Sequence, residues 1–152
     1  MERQNRKRLY LDICTLCRPF DDQSRMRIRL ETDAYYLILQ ALQDGRYGMI
    51  VSPVHFEEAN AIIDAEEKRE ILAVLEQLGT TAEGDMVATR ARAEDLHSRK
   101  FGLADAAHVA FAEVTADFFI TCDDRLVKKC RREKVAVTTV DPVEFTIAED
   151  LK

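Results

Sequence analysis

The sequence predicts an α/β fold: one domain spanning 1–152, built on a central, mainly parallel sheet. Three observations carry that prediction. Short apolar runs bounded by turn residues alternate with longer segments of helical period. Two of the runs, Leu9–Cys14 and Phe118–Thr121, are apolar almost throughout, as parallel strands covered on both faces are. Acids then stand just past these runs or in the first turn of a helix, and open α/β sheets bind ligands outside the carboxyl ends of their strands. A chain of 152 residues is long enough to bury one core of its own.

The first strand is read over Leu9–Cys14, and Asp12 is out of place in it. Strands are depleted in Asp, and an ionised carboxylate inside a sheet is costly unless paired or bound to a metal. Thr15–Ser24 is read as a loop, with Pro19, Asp21 and Asp22 breaking the pattern. Asp22 or Ser24 is expected to cap the helix that follows, since either accepts a bond from its free amides. That helix runs from about Arg25 to Asp44, with Ile28, Leu30, Ala34, Leu37, Ile38, Ala41 and Leu42 on its apolar face and Gly45 at its end. Tyr35 and Tyr36 read as packing residues rather than a base-stacking platform.

Gly48–Ser52 is the second strand. Pro53 follows it at a position where a helix can start, because the first amides of a helix are unpaired anyway. In the helix from Val54 to about Ile63, Glu58 falls on the apolar stripe and Glu57 away from it. Ala65–Leu78 is an amphipathic helix ended by Gly79. Residues 83–98 form another, with Met86, Val87, Ala91 and Leu96 inward and Arg90, Arg92, Glu94 and Asp95 outward.

A helix beginning near Ala104 buries Ala106, Ala107, Ala110, Phe111 and Val114. Asp105 lies in its first turn, where an acid complements the helix dipole, and His108 neighbours it one turn on. His108 is read as an orienting or packing histidine rather than a ligand. Phe118–Thr121 is a buried strand, after which Asp123 or Asp124 caps a helix from Arg125 to about Glu133. Val135–Val140 is the last strand, and Asp141-Pro142 opens a short tail.

Composition narrows the function. The net charge of −6 argues against holding nucleic acid by bulk electrostatics, yet leaves room for a nuclease whose carboxylates surround a metal. No apolar run reaches the roughly 18 residues of a membrane span. The basic N-terminal segment, Met1–Arg8, has no apolar stretch behind it, so it does not read as a signal peptide and the cytoplasm is the expected location. Cys14 and Cys17 have C-x2-C spacing, but Cys122 and Cys130 do not, and no histidine stands near to complete a zinc set. Reduced thiols are the expectation.

What remains is a set of four acids: Asp12 after the first strand, Glu58 on the helix after the second, Asp105 at a helix start, and Asp123 after the third strand. Right-handed crossovers bring such positions to one edge of a parallel sheet. Carboxylates gathered there repel one another and raise each other's pKa. A hard divalent cation, magnesium or manganese, relieves that repulsion. Such an ion polarises a phosphodiester and lowers the pKa of a bound water.

The stretches YLDICTLCRPFDDQ (Tyr10–Gln23), VSPVHFEEAN (Val51–Asn60) and GLADAAHVAFAEVTADFFITCDDRL (Gly102–Leu126) resemble PIN-domain proteins. These are small metal-dependent ribonucleases that include the VapC-type toxins. The resemblance implies a three-layer sandwich around a four- to five-stranded sheet, with Asp12, Glu58, Asp105 and Asp123 as metal-holding and catalytic acids. It further implies Mg2+ or Mn2+, an RNA substrate cut to 5′-phosphate and 3′-hydroxyl ends, a small antitoxin as partner, and a homodimer. Ile13 and Cys14 depart from the small polar residues that follow the first acid in many members, whereas Thr121 fits the hydroxyl often found near the fourth.

Two other classes compete. A PIN-like binding or assembly module with an inert site is suggested by Ile13 and Cys14. A receiver-type domain with an aspartate nucleophile lacks a clearly placed lysine, and no Walker-type glycine loop is present.

Overall fold

The computed structural model describes residues 6–152, so Met1–Asn5 of the basic N-terminal segment lie outside it. Five strands, β1 (Lys7–Leu11), β2 (Tyr47–Val51), β3 (Gly79–Thr81), β4 (Phe118–Ile120) and β5 (Thr138–Val140), make one sheet in the order β3-β2-β1-β4-β5. Every pairing is parallel. Parallel neighbours need crossovers, and helices supply them. These are α1 (Ile13–Cys17), α2 (Met26–Gln43), α3 (Pro53–Asn60), α4 (Ala65–Leu78), α5 (Met86–Ser98), α6 (Leu103–Thr115) and α7 (Asp124–Arg132), and a further helix, α8 (Pro142–Ala148), follows the last strand.

The two faces of the sheet are buried in separate layers. Leu9 and Leu11 of β1 pack with Ile38, Leu75 and Phe145, while Tyr10 between them packs with Leu96, Val109, Phe119 and Leu126. That alternation is the strand period of two, and it makes the molecule a three-layer sandwich. Leu9, Tyr10 and Leu11 have no exposed surface, and each fully buried apolar side chain contributes about 1.5–3 kcal/mol. Among the described residues, no helix is long and apolar enough to cross a membrane.

Several elements differ from the expectation, each for a local reason. Residues 13–17 are helical, where Ile13 and Cys14 were expected in the first strand and Thr15–Cys17 in a loop, because the Asp12 carboxylate takes the Ile13 amide and the Asp12 carbonyl takes the Thr15 amide. Neither Asp22 nor Ser24 caps α2. Ser24 instead bonds Asp22 Oδ1 through its amide and its hydroxyl, at 3.0 and 2.7 Å, and Arg25 occupies the cap position with no side-chain bond. Gly79 does more than end α4. It opens β3, at the sheet edge, where a Cβ would run into Leu75 O and would stand 2.5 Å from Val51 Cγ1.

The strand expected over Val135–Val140 begins only at Thr138. The Val135 amide goes back to Cys130 O at the end of α7, and the Ala136 amide goes to Glu113 Oε2, so neither is free for the ladder. The expected tail is a helix, α8, closed at its start by a capping box between Asp141 and Glu144. On α5, Met86, Val87 and Ala91 face outward, while Thr89 and Leu96 are buried and Arg92 is drawn in by Glu113 at 2.7 Å. Leu30, Tyr36 and Val114, expected to pack, are more than half exposed.

Candidate functional site

The sheet changes direction beside β1. The chain builds β2 and β3 on one side, then returns to lay β4 and β5 on the other. The carboxyl ends of β1 and β4 therefore adjoin at a topological switch point. Asp12 leaves β1 there, its amide still bonded to Ile120 O at 2.9 Å. The residue is 5% exposed. Oδ1 accepts the Ile13 amide at 2.8 Å, and Oδ2 accepts the Thr121 hydroxyl at 2.8 Å and the Cys14 thiol at 3.4 Å. These bonds fix the rotamer and compensate an anion that would otherwise be too costly to bury.

Glu58 reaches the same place from α3. His108 Nε2 lies 2.5 Å from Glu58 Oε1 and 3.8 Å from Asp12 Oδ1. One ligating atom from each of Asp12, Glu58 and His108 falls within 4.8 Å of the others. Two carboxylates and an imidazole at this spacing suit a divalent cation. The nitrogen donor shifts the preference from magnesium toward manganese or another transition metal.

His108 is buried completely, and a chain of polar groups reaches it from the core. Its Nδ1 is 2.6 Å from the Tyr10 hydroxyl, which is 2.7 Å from Ser52 Oγ. Burial holds the Tyr10 phenol well above its usual pKa, so it keeps its proton. His55 anchors the neighbouring loop. Its Nδ1 accepts the Ser52 amide at 3.0 Å, so its Nε2–H donates to Leu11 O at 2.7 Å. Burial, and then the proximity of His108, push His55 down to about 3, which keeps it neutral. Among the described residues no buried side-chain polar atom lacks a partner.

Asp105 and Asp123 complete the surroundings unequally. Asp105 is half-buried in the first turn of α6, and its carboxyl is pushed up to about 6. Burial is the largest cause, followed by the charges of Asp12 and Asp123; His108 opposes them and Glu58 adds to them. Asp123 is exposed and caps α7, with Oδ1 accepting the Arg125 amide at 3.0 Å and the Leu126 amide at 3.3 Å. The structure thus brings Asp12 and Glu58 into contact distance of one point, together with His108. Asp105 and Asp123 adjoin that point through their charges. His108 orients Glu58, as an orienting histidine would, and its Nε2 also stands where a ligand would. Its spacing from Asp105 was visible in sequence; its approach to Glu58, fifty residues away, was not.

Two neighbouring features surround this point. Cys14 and Cys122 are free thiols beside Asp12, each within sulfur–hydroxyl contact of a threonine, Cys14 of Thr121 at 3.4 Å and Cys122 of Thr15 at 3.7 Å. The Cys122 thiol beside it, burial and the nearby Asp12 charge hold the Cys14 thiol well above its usual pKa. Glu31, 2% exposed on α2, is held by Arg18 Nε at 2.9 Å and faces Arg27 at 3.5 Å.

No family model matches the sequence, and no curated protein matches it. Among solved structures, the crystal structure of FitAcB from Neisseria gonorrhoeae is similar with a TM-score of 0.51 and 16% identity, over 88% of this chain and 97% of that one. At that identity the likeness is one of fold, and the fold is that of a PIN-like α/β sandwich.

Proposed function

We propose that the protein is a metal-dependent endoribonuclease that hydrolyses RNA phosphodiesters to 5′-phosphate and 3′-hydroxyl ends, acting as the toxin of a toxin–antitoxin pair. The observation that carries this reading is the convergence of Asp12, Glu58 and His108 at the switch point of a PIN-like sheet, with Asp105 and Asp123 beside them. The likeness in fold to FitAcB supports the PIN-type assignment.

In this reading Asp12, Glu58 and His108 hold Mn2+ or Mg2+, and Asp105 and Asp123 complete its surroundings. The ion, when bound, supplies Lewis-acid stabilisation and a water of lowered pKa. Asp12 is the fixed member, because three protein donors already set its rotamer. Glu58, one-third exposed, is the more accessible of the two carboxylates; His108 Nε2 holds it in the metal-free protein and would offer its lone pair to the ion once a metal binds. Asp123 is exposed at the start of α7, with Oδ1 held by the helix amides and Oδ2 in no hydrogen bond among the described residues. A homodimer and a small antitoxin belong to the same proposal, and the apolar side chains Met26 and Leu30, exposed one turn apart on α2, offer a surface for such contacts.

The test is cleavage of a mixed RNA pool in manganese by the wild type, Asp12→Asn and Asp123→Asn. Loss in both variants with the fold intact is the expected result. Undiminished cutting by the variants would remove the acids from the chemistry, and 2′,3′-cyclic phosphate ends would replace the hydrolytic mechanism with attack by the ribose hydroxyl. A wild type that cuts no RNA and gains no stability from manganese would favour an inert PIN-like module, a reading whose specific support is Ile13 and Cys14 beside Asp12.

A further inference from the structure

We infer that the arginine-lined cavity between the start of α2 and the start of α7 seats the phosphates of the RNA strand as it leaves the acidic site, an inference that rests on the ribonuclease reading. The cavity has a volume of about 550 Å³, and its walls carry four guanidinium groups, those of Arg18, Arg25, Arg27 and Arg125. Asp123 lines the same cavity, and its amide donates at 3.1 Å to the Thr121 hydroxyl, which in turn donates to Asp12 at 2.8 Å, so the cavity lies one hydrogen-bonded residue from the acid cluster.

The charge balance decides what such a cavity takes. Two of the four arginines are already committed. Arg27 is forked onto Asp124, with both bonds at 2.6 Å, and Arg18 is divided between Glu31 at 2.9 Å and Asp21 at 2.8 Å. Arg25 and Arg125 are exposed and form no ion pair among the described residues. Asp123 has one oxygen engaged by the amides of α7. The cavity therefore presents two uncommitted guanidiniums on a chain whose net charge is −6. The first turn of α2 opens beside them with no side-chain cap and no acid, so the helix dipole adds to the positive potential.

Planar guanidiniums match phosphate oxygens in pairs, which an extended polyanion satisfies better than a single small ion does. No aromatic side chain lines the cavity, so it has no platform for stacking bases. It binds the backbone and carries no sequence readout. A position beside Asp123 puts the captured phosphate next to the one to be cut. The metal cluster and the arginines then divide the work between chemistry and placement.

The experiment measures binding and cleavage separately on the full chain. Binding of a short mixed-sequence single-stranded RNA is followed by fluorescence anisotropy in EDTA, across a salt series, for the wild type, Arg25→Gln/Arg125→Gln and a remote control, Arg90→Gln. Cleavage is then measured in manganese. The double variant is expected to bind about tenfold more weakly, and its salt slope is expected to fall by about 1.4, at about 0.7 per lost single-strand phosphate contact. Its KM rises while kcat holds, and Arg90→Gln matches the wild type. Both arginines are exposed and unpaired, so the variant keeps its fold. If the double variant binds and cuts as the wild type does, the cavity is not the strand's seat and the ribonuclease reading stands. A wild type that neither binds nor cuts RNA ends both readings. Polyglutamate of equal length displacing the RNA at lower concentration would overturn the inference in favour of an acidic polypeptide.

Discussion

Replacing Asp105 by Asn should stabilise the metal-free protein above pH 7 and leave it unchanged below pH 4. Folding moves this carboxyl from its ordinary 3.8 to about 6, chiefly by burial and then by the charges of Asp12 and Asp123. The native state therefore binds more protons than the unfolded chain between those values, so stability falls as pH rises from about 4 to about 6 and stays reduced above. At 1.36 kcal/mol per pH unit the full effect is about 3 kcal/mol. Asp105 is only half-buried, and solvent screening brings the expected value down to about 1–2 kcal/mol. An amide keeps the shape and carries no charge, so Asp105→Asn should recover that amount at pH 8. Urea unfolding in EDTA at pH 4 and pH 8 measures it. A difference between variant and wild type that is the same at both pH values would refute the argument, because it would show that folding does not penalise the charged form of Asp105.

Three further predictions bear on the site and its scaffold. Manganese at a hundredfold excess over its Kd should add about 2.7 kcal/mol, which is about 5–10 °C in a chain of this size; His108→Ala should lose most of that shift in a thermal melt. Glu31→Gln should cost about 2–3 kcal/mol in denaturant midpoint measurements, since it takes from the partly buried Arg18 the more buried of its two carboxylates and leaves it only Asp21. Gly79→Ala should cost about 1–3 kcal/mol through overpacking against Val51 and the Leu75 carbonyl, and retained stability would show that β3 can shift outward.

Elements with long, regular patterns were legible without coordinates. α4 is bounded by Asp64 and Gly79, β2 stops before Pro53, and α6 shows its alanines at helical spacing. The elements that escaped are short. β3 has three residues, one of them a glycine, so it offers no period to read, and it exists because Val51 continues a ladder beside it. α8 is a different case: Asp141, Pro142 and Glu144 spell a capping box that could have been read, but the helix it opens is only seven residues long.

The sequence by itself determined the parallel α/β class, the buried strands, and the set of acids standing at strand ends and helix starts. Those are consequences of local period and of the cost of burying charge, and both are written in neighbouring residues. Only the tertiary structure decided which acids share a point. Strand order places the ends of β1 and β4 side by side, and the α3–α6 contact brings His108 to Glu58. The fork from Arg27 to Asp124 leaves Arg25 and Arg125 uncommitted. Each of these depends on distances between residues about fifty to a hundred positions apart in the chain, and a sequence period of two or 3.6 carries no information at that range.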